Sequence, residues 1–193
     1  MQTQSRASSA RQLELLERAY AYVLEHGLTS LSLRPLAQAI GSSPRVLLFL
    51  FGSKEGLVQA LLARARTAEL EVLNQAPPSV SPEDFVSGVR EVWHWLLARQ
   101  HRRMLALWVE TYAQSLMEPG GPCADFARKT VDDWLELLAA RQPASLRRSR
   151  AGATERGLAL AVLRGALLDL LATGDEERTT AIVEAYLGRL PGR

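Results

Sequence analysis

Residues 33–57 read LRPLAQAIGSSPRVLLFLFGSKEGL, and this stretch decides the fold. Ser32 stands where it can cap a short helix whose first turn tolerates Pro35, and Gly41 ends that helix. Ser43 followed by Pro44 sets a capping side chain before a proline at the first helical position. That pair opens another helix, closed by Gly52 after Phe51. The turn at Gly41-Ser42 needs a positive backbone angle, which glycine permits. Two short helices joined by a tight turn, with a further helix capped by Ser53, form a helix-turn-helix pattern. In such a motif the second helix enters the major groove, N-terminal residues at the base edges, while nearby amides and hydroxyls hold phosphates. Here those residues are Ser42, Ser43, Pro44 and Arg45. Arg45 is able to read guanine O6 and N7, and the serines to bind phosphate.

Helical periodicity continues on both sides. Upstream, Leu13, Leu16, Tyr20, Val23 and Leu24 recur at three- and four-residue steps, and Gly27 ends their helix as a left-handed cap. Downstream, Ser53 caps a helix running towards Asn74 with Leu57, Val58, Leu61, Leu62 and Ala65 on one face. The run QAPPSVSP, Gln75 to Pro82, is a linker. Beyond it Ser81-Pro82-Glu83-Asp84 starts a helix carrying Phe85, Val89, Val92, Trp93 and Leu96. The next carries Met104, Leu105, Trp108, Tyr112 and Leu116 and is broken by EPGGPC at 118–123. Another holds Val131, Trp134, Leu135 and Leu138. After a polar, arginine-rich loop at Arg141–Ala151, two final helices are expected at about Thr154–Thr173 and Glu176–Leu190. No alternating strand pattern appears, so the chain is expected to be all-α.

Composition agrees with a folded, soluble chain. Of 193 residues 47% are hydrophobic, enough for a sizeable core. The lone Cys123 cannot form an internal disulfide and fits a reducing compartment as a buried thiol. The longest apolar run, Leu158–Leu171, is interrupted by Arg164, Gly165 and Asp169, too short and too charged to span a bilayer. The opening MQTQSRASSARQ has no apolar core of the kind a signal peptide needs. A cytoplasmic location and no membrane partner are the expectation. The net charge of +2 is unevenly placed. Residues 1–56 hold Arg6, Arg11, Arg18, Arg34, Arg45 and Lys54 against Glu14, Glu17, Glu25 and Glu55, which leaves 17 charges of each sign in the rest. The excess sits where a polyanion-binding head would carry it.

Four segments at matching spacing resemble the tetracycline-repressor (TetR) family over Leu13 to Leu62. They are LERAYAYVLEHG, LSLRPLAQAIG with Arg34, SPRVLLFLF ending at Phe51, and GSKEGL with Lys54. The resemblance implies a bacterial transcription regulator: an N-terminal three-helix helix-turn-helix head, plus a C-terminal helical bundle for ligand binding and dimerisation. It implies a phosphate contact from Lys54 at the start of the next helix. The expected DNA contacts are Ser32, Arg34, Ser42, Ser43, Pro44, Arg45, Phe49 and Lys54, the partner being double-stranded operator DNA. The sequence departs from the family pattern late in the recognition helix. Val46, Leu48, Phe49 and Leu50 stand where threonine, tyrosine and a histidine or second aromatic are common. Leucine cannot donate to phosphate as tyrosine does. Phe49 either packs on a thymine methyl or is buried.

The divisions implied are a flexible arm at 1–10, the head at 11–56, a connecting helix at 57–76, and a ligand-binding and dimerisation domain at 77–193. The arm's Thr3, Ser5, Arg6, Ser8 and Ser9 either enter a minor groove or touch nothing. In the body, Trp93, Met104, Trp108, Tyr112 and Trp134 are candidates for the pocket of a small apolar or aromatic effector; core packing explains them equally well. The last two helices are apolar over wide arcs. Leu158, Ala161, Val162, Gly165, Leu167, Leu170, Val183 and Tyr186 are the candidate homodimer interface. Catalysis finds little support. Glu91 and His94 have Glu-x-x-His spacing, but no second copy exists to complete a di-iron set. No cofactor or metal is expected, and a ligand-released repressor is the implied role. The rival is a helical carrier or scaffold whose apolar recognition helix no longer binds DNA.

Overall fold

The computed structural model describes residues 2–28, 31–75 and 85–190. Most of the proline-rich linker and the expected Ser81–Asp84 helix start lie outside the described residues, as do the side chains of Thr3, Ser5, Arg6 and Ser8. Among the described residues the chain is entirely helical, with no strand: α1 Gln2–His26, α2 Leu33–Ala39, α3 Pro44–Phe51, α4 Lys54–Gln75, α5 Phe85–Leu97, a 3₁₀ turn at Arg99–His101, α6 Arg102–Met117, α7 Phe126–Ala140, α8 Ala144–Arg147, α9 Arg150–Thr173 and α10 Glu176–Leu187. Helix α1 begins well before Arg11, taking in the stretch expected as an arm, because no proline or glycine interrupts residues 2–26. Within Arg141–Ala151 a short α8 forms, and α9 starts at Arg150 because the Ser149 side chain accepts from the Gly152 N–H at 2.9 Å.

Two compact units are interleaved along the chain. One comprises Met1–Glu71 with Ala106–Ala127, the other Val72–Leu105 with Arg128–Arg193. In the first, Leu15, Leu36, Leu47, Leu57 and Leu61 are almost completely buried in one core. Each such leucine contributes roughly 1.5–3 kcal/mol over an exposed one, so packing outweighs any single cap here. The same core takes in Leu107 and Cys123 from the distant second stretch of the unit. Burial pushes the Cys123 thiol above its ordinary pKa, with Glu118 and Glu110 adding to it.

In the second unit α5, α9 and α10 pack together. Arg90 on α5 meets Glu184 on α10 with two parallel hydrogen bonds of 2.7 and 2.9 Å. The fully buried Trp93 gives its indole N–H to Thr180 at 3.1 Å. Gln142, also fully buried, donates to the Gly152 carbonyl and to Glu155, and accepts from Arg156. A Cβ at Gly88 would stand 2.4 Å from Cδ of Arg141, so a larger residue there requires the Arg141 side chain to shift. The Tyr186 hydroxyl donates to the Glu155 carbonyl; burial and then the Glu155 charge raise its pKa to about 12.

The candidate interface residues divide across α9. Leu167, Leu170 and Val183 are 3%, 0% and 0% exposed, so they belong to the protomer's own core, which corrects the expectation. With about 100° per residue, Ala159, Leu163, Ala166, Leu167 and Leu170 fall on one side of α9. Leu158, Ala161, Gly165 and Leu168 fall on the other and are exposed. Val162 is half-buried, as is Tyr186, whose hydroxyl is engaged within the unit. Among the described residues no single helix is long and apolar enough to cross a membrane.

Candidate nucleic-acid interface

The helix-turn-helix is built by local rules. Helix α2 ends at Ile40, and Gly41 takes a φ of +67°. A Cβ there would meet only Arg18 Nη1, at an ordinary 3.8 Å, so the backbone angle and not space demands glycine. The Ser42 amide then returns to the Ala37 carbonyl at 2.8 Å, tightening the turn. Ser43, in an extended conformation, accepts from the Val46 N–H at 3.3 Å and hands the chain to Pro44 at the start of α3. Gly52, at φ +80°, closes α3. Ser53 starts α4 by accepting from the Gly56 N–H at 3.0 Å. Ser32 precedes α2 but makes no side-chain cap, so only its position matches the expectation.

Helix α1 fixes the motif from behind. Gln12 donates to the Leu50 carbonyl at 2.9 Å, at the end of α3. Arg18 donates to the Ile40 carbonyl at 3.3 Å, at the end of α2, and is itself held by Glu14 at 2.7 Å. A hydrogen bond from Arg11, and then the charges of Arg11 and Arg18, keep the Glu14 carboxyl below its ordinary pKa. Arg64 on α4 reaches Glu17 at 2.5 Å and lies over the Tyr20 ring at 5.1 Å, tying α4 to α1. The buried side of α3 is Leu47, 1% exposed, against this framework.

Its outward side is therefore fixed. Arg45 and Phe49 lie one turn apart at the centre of the exposed face, with Val46 and Leu48 to either side. Phe49 is 82% exposed, which settles its alternatives against burial. Arg34, Arg45 and Lys54 are all exposed, and neither α2 nor α3 contains an acidic residue. The nearest acid in sequence, Glu55, is held below its ordinary pKa by its own backbone N–H and then by Ser53, so it stays charged at the start of α4. Ser42 departs from its expected role. Its hydroxyl oxygen is shielded from solvent and makes no hydrogen bond, so it is not presented to a phosphate.

The candidate effector residues fall in both units. Trp108 and Tyr112 belong to the first, with ring centres 5.2 Å apart. Trp93, Met104 and Trp134 belong to the second. Trp93 is occupied by Thr180, and Trp134 is buried. Among the described residues no three His, Cys, Asp or Glu side chains gather to hold a metal ion. One contact had no signal in the sequence: the carboxylate of Glu110 on α6 accepts the Leu28 N–H at 3.0 and 3.1 Å, just past the end of α1.

No family model and no curated protein matches the sequence. Solved structures do. A transcriptional regulator from Rhodococcus sp. Rha1 shares 19% identity, with 92% of this chain and 94% of that chain covered and a TM-score of 0.71. A TetR transcription regulator from Haloarcula marismortui ATCC 43049 shares 16% identity over 94% and 98% of the two chains, with a TM-score of 0.68. The multidrug binding protein EbrR, complexed with imidazole, shares 25% identity over 95% and 93%, with a TM-score of 0.67. Its complex with proflavin aligns at 24% identity and a TM-score of 0.61, over 92% of this chain and 99% of that one. Over more than nine-tenths of its length, this chain has the fold of the TetR-family transcription regulators.

Proposed function

We propose that the chain is a sequence-specific DNA-binding transcription regulator, a homodimer in the cytoplasm that represses by occupying an operator and is released by a small molecule. One observation carries the reading. A helix with Arg45 exposed at its N-terminal end stands on a helix-turn-helix, bordered by exposed Arg34 and Lys54 and by no acid on α2 or α3. Arg45 reads a guanine edge, while Lys54, Arg34 and the Ser43 region hold phosphates.

The homodimer uses the exposed side of α9, where Leu158, Ala161, Gly165 and Leu168 line up, with Ile182 of α10. At Gly165 a Cβ would meet nothing within 4 Å, so the surface there is open to a close approach. The effector is a small apolar or aromatic molecule, in keeping with the imidazole and proflavin complexes of EbrR. A ligand that fits one arrangement of the body better shifts the spacing of two recognition helices, which must lie about 34–36 Å apart.

The carrier or scaffold reading is favoured by the apolar exposed face of α3. A gel shift separates the two. The full chain should retard duplex DNA from its own upstream region, with affinity falling steeply as salt rises. Arg45→Ala should lose about 1–3 kcal/mol of discrimination among sequences, and Lys54→Ala should weaken all duplexes alike while lowering the salt slope by about 1. Both variants binding as the parent does would overturn the reading.

A further inference from the structure

The outward face of α3 is short of hydrogen-bonding groups. Of its exposed side chains, Arg45 alone can donate, while Val46, Leu48 and Phe49 are apolar and 38%, 41% and 82% exposed. A phenylalanine so exposed gains nothing from the fold that holds it, since the buried anchor of the helix is Leu47. The charges around it name its partner. Arg45 shares its face one turn earlier, Arg34 and Lys54 are exposed at the starts of α2 and α4, and no acidic side chain stands on α2 or α3. An apolar strip set among cations suits a polyanion that displays apolar groups. In the major groove of duplex DNA the bases present donors, acceptors and one apolar group, the C5 methyl of thymine.

We propose that Phe49, with Val46 and Leu48 on its flanks, reads thymine C5 methyl groups, so that each half-site sets thymines beside the guanine taken by Arg45. This rests on the DNA-binding reading of the head and adds to it the source of specificity. Sequence is then read by one hydrogen-bonded contact and by methyl burial. The tyrosine-like phosphate anchor is replaced on this helix by apolar contact that does not depend on salt.

The test uses the full chain and synthetic DNA. Duplexes selected from a random pool are re-made with each thymine in turn replaced by deoxyuridine, which removes the methyl and leaves every hydrogen-bonding group. Binding is followed by fluorescence anisotropy at several salt concentrations. One or two deoxyuridine positions per half-site should each lower affinity about fourfold, the effect of withdrawing one methyl-sized group from burial. Phe49→Ala should produce a similar loss on the thymine duplex, little further loss on the deoxyuridine duplex, and no change in salt slope. Phe49 is so exposed that its truncation leaves the fold intact. Deoxyuridine duplexes bound as tightly as thymine ones, by a protein that still selects sequence, would overturn the methyl reading alone. A pool that yields no preferred sequence and no salt-sensitive binding would overturn the DNA-binding reading, and this inference with it.

Discussion

Glu110 holds the chain just past the end of a helix to which it is not joined in sequence. Its two carboxylate oxygens share the N–H of Leu28, whose side chain is buried in the same core as Leu107. A Cβ on Gly27 would come within 3.2 Å of that carboxylate, and Gly27 already sits at φ +80°, so glycine is favoured there twice over. Glu110→Ala removes a charged acceptor from a part-buried amide, a loss of about 1–3 kcal/mol. Thermal melting should show the loss, and Glu110→Gln, which keeps one acceptor oxygen, should recover much of it. An alanine variant that melts with the parent would show that water serves Leu28 equally well.

At the scale of the element, two serines that look alike in sequence differ in what they do. Ser43 accepts the Val46 N–H, whereas Ser32 makes no side-chain cap. Ser43→Ala should therefore cost about 1 kcal/mol of stability by chemical denaturation, and Ser32→Ala close to nothing. Equal costs would mean that the caps are interchangeable. The difference shows where sequence reading stops. Helix boundaries at Gly27, Gly41 and Gly52 were legible because each glycine takes a positive φ at a helix end, a local requirement. The exposed positions of Arg45 and Lys54 followed from the same local geometry, whereas the sequence alone allows Phe49 to be either exposed or buried. The inward hydroxyl of Ser42 did not, since the return of its amide to Ala37 sets the side chain's direction. Helix α9 was harder still. Its apolar residues surround most of the helix, so periodicity could not distinguish Leu167, which faces its own core, from Leu168, which does not. Only the position of α5 and α10 decides that. The contact of Glu110 with Leu28 was invisible for the same reason, the two lying 82 residues apart.

For the whole molecule, that one-residue difference on α9 separates folding from the proposed assembly. Leu168→Asp sits on the exposed side and should leave the melting of the protomer nearly unchanged while sedimentation shifts to monomer and operator affinity falls. Leu167→Asp buries a charge in the core and should unfold the chain. A Leu168→Asp protein that remains dimeric would move the proposed interface off this side of α9. The interleaving of the two units bears on how such proteins can be recombined. The unit holding the helix-turn-helix owns Ala106–Ala127 as well as Met1–Glu71, and its core is closed by Leu107 and Cys123. A cut after residue 71 would thus strip the head of two core side chains and of the acceptor for the Leu28 N–H. Grafting this head onto another body requires a split graft that carries both stretches, and crossovers within α6 would be purged unless the incoming half already suited Leu28 and its neighbours.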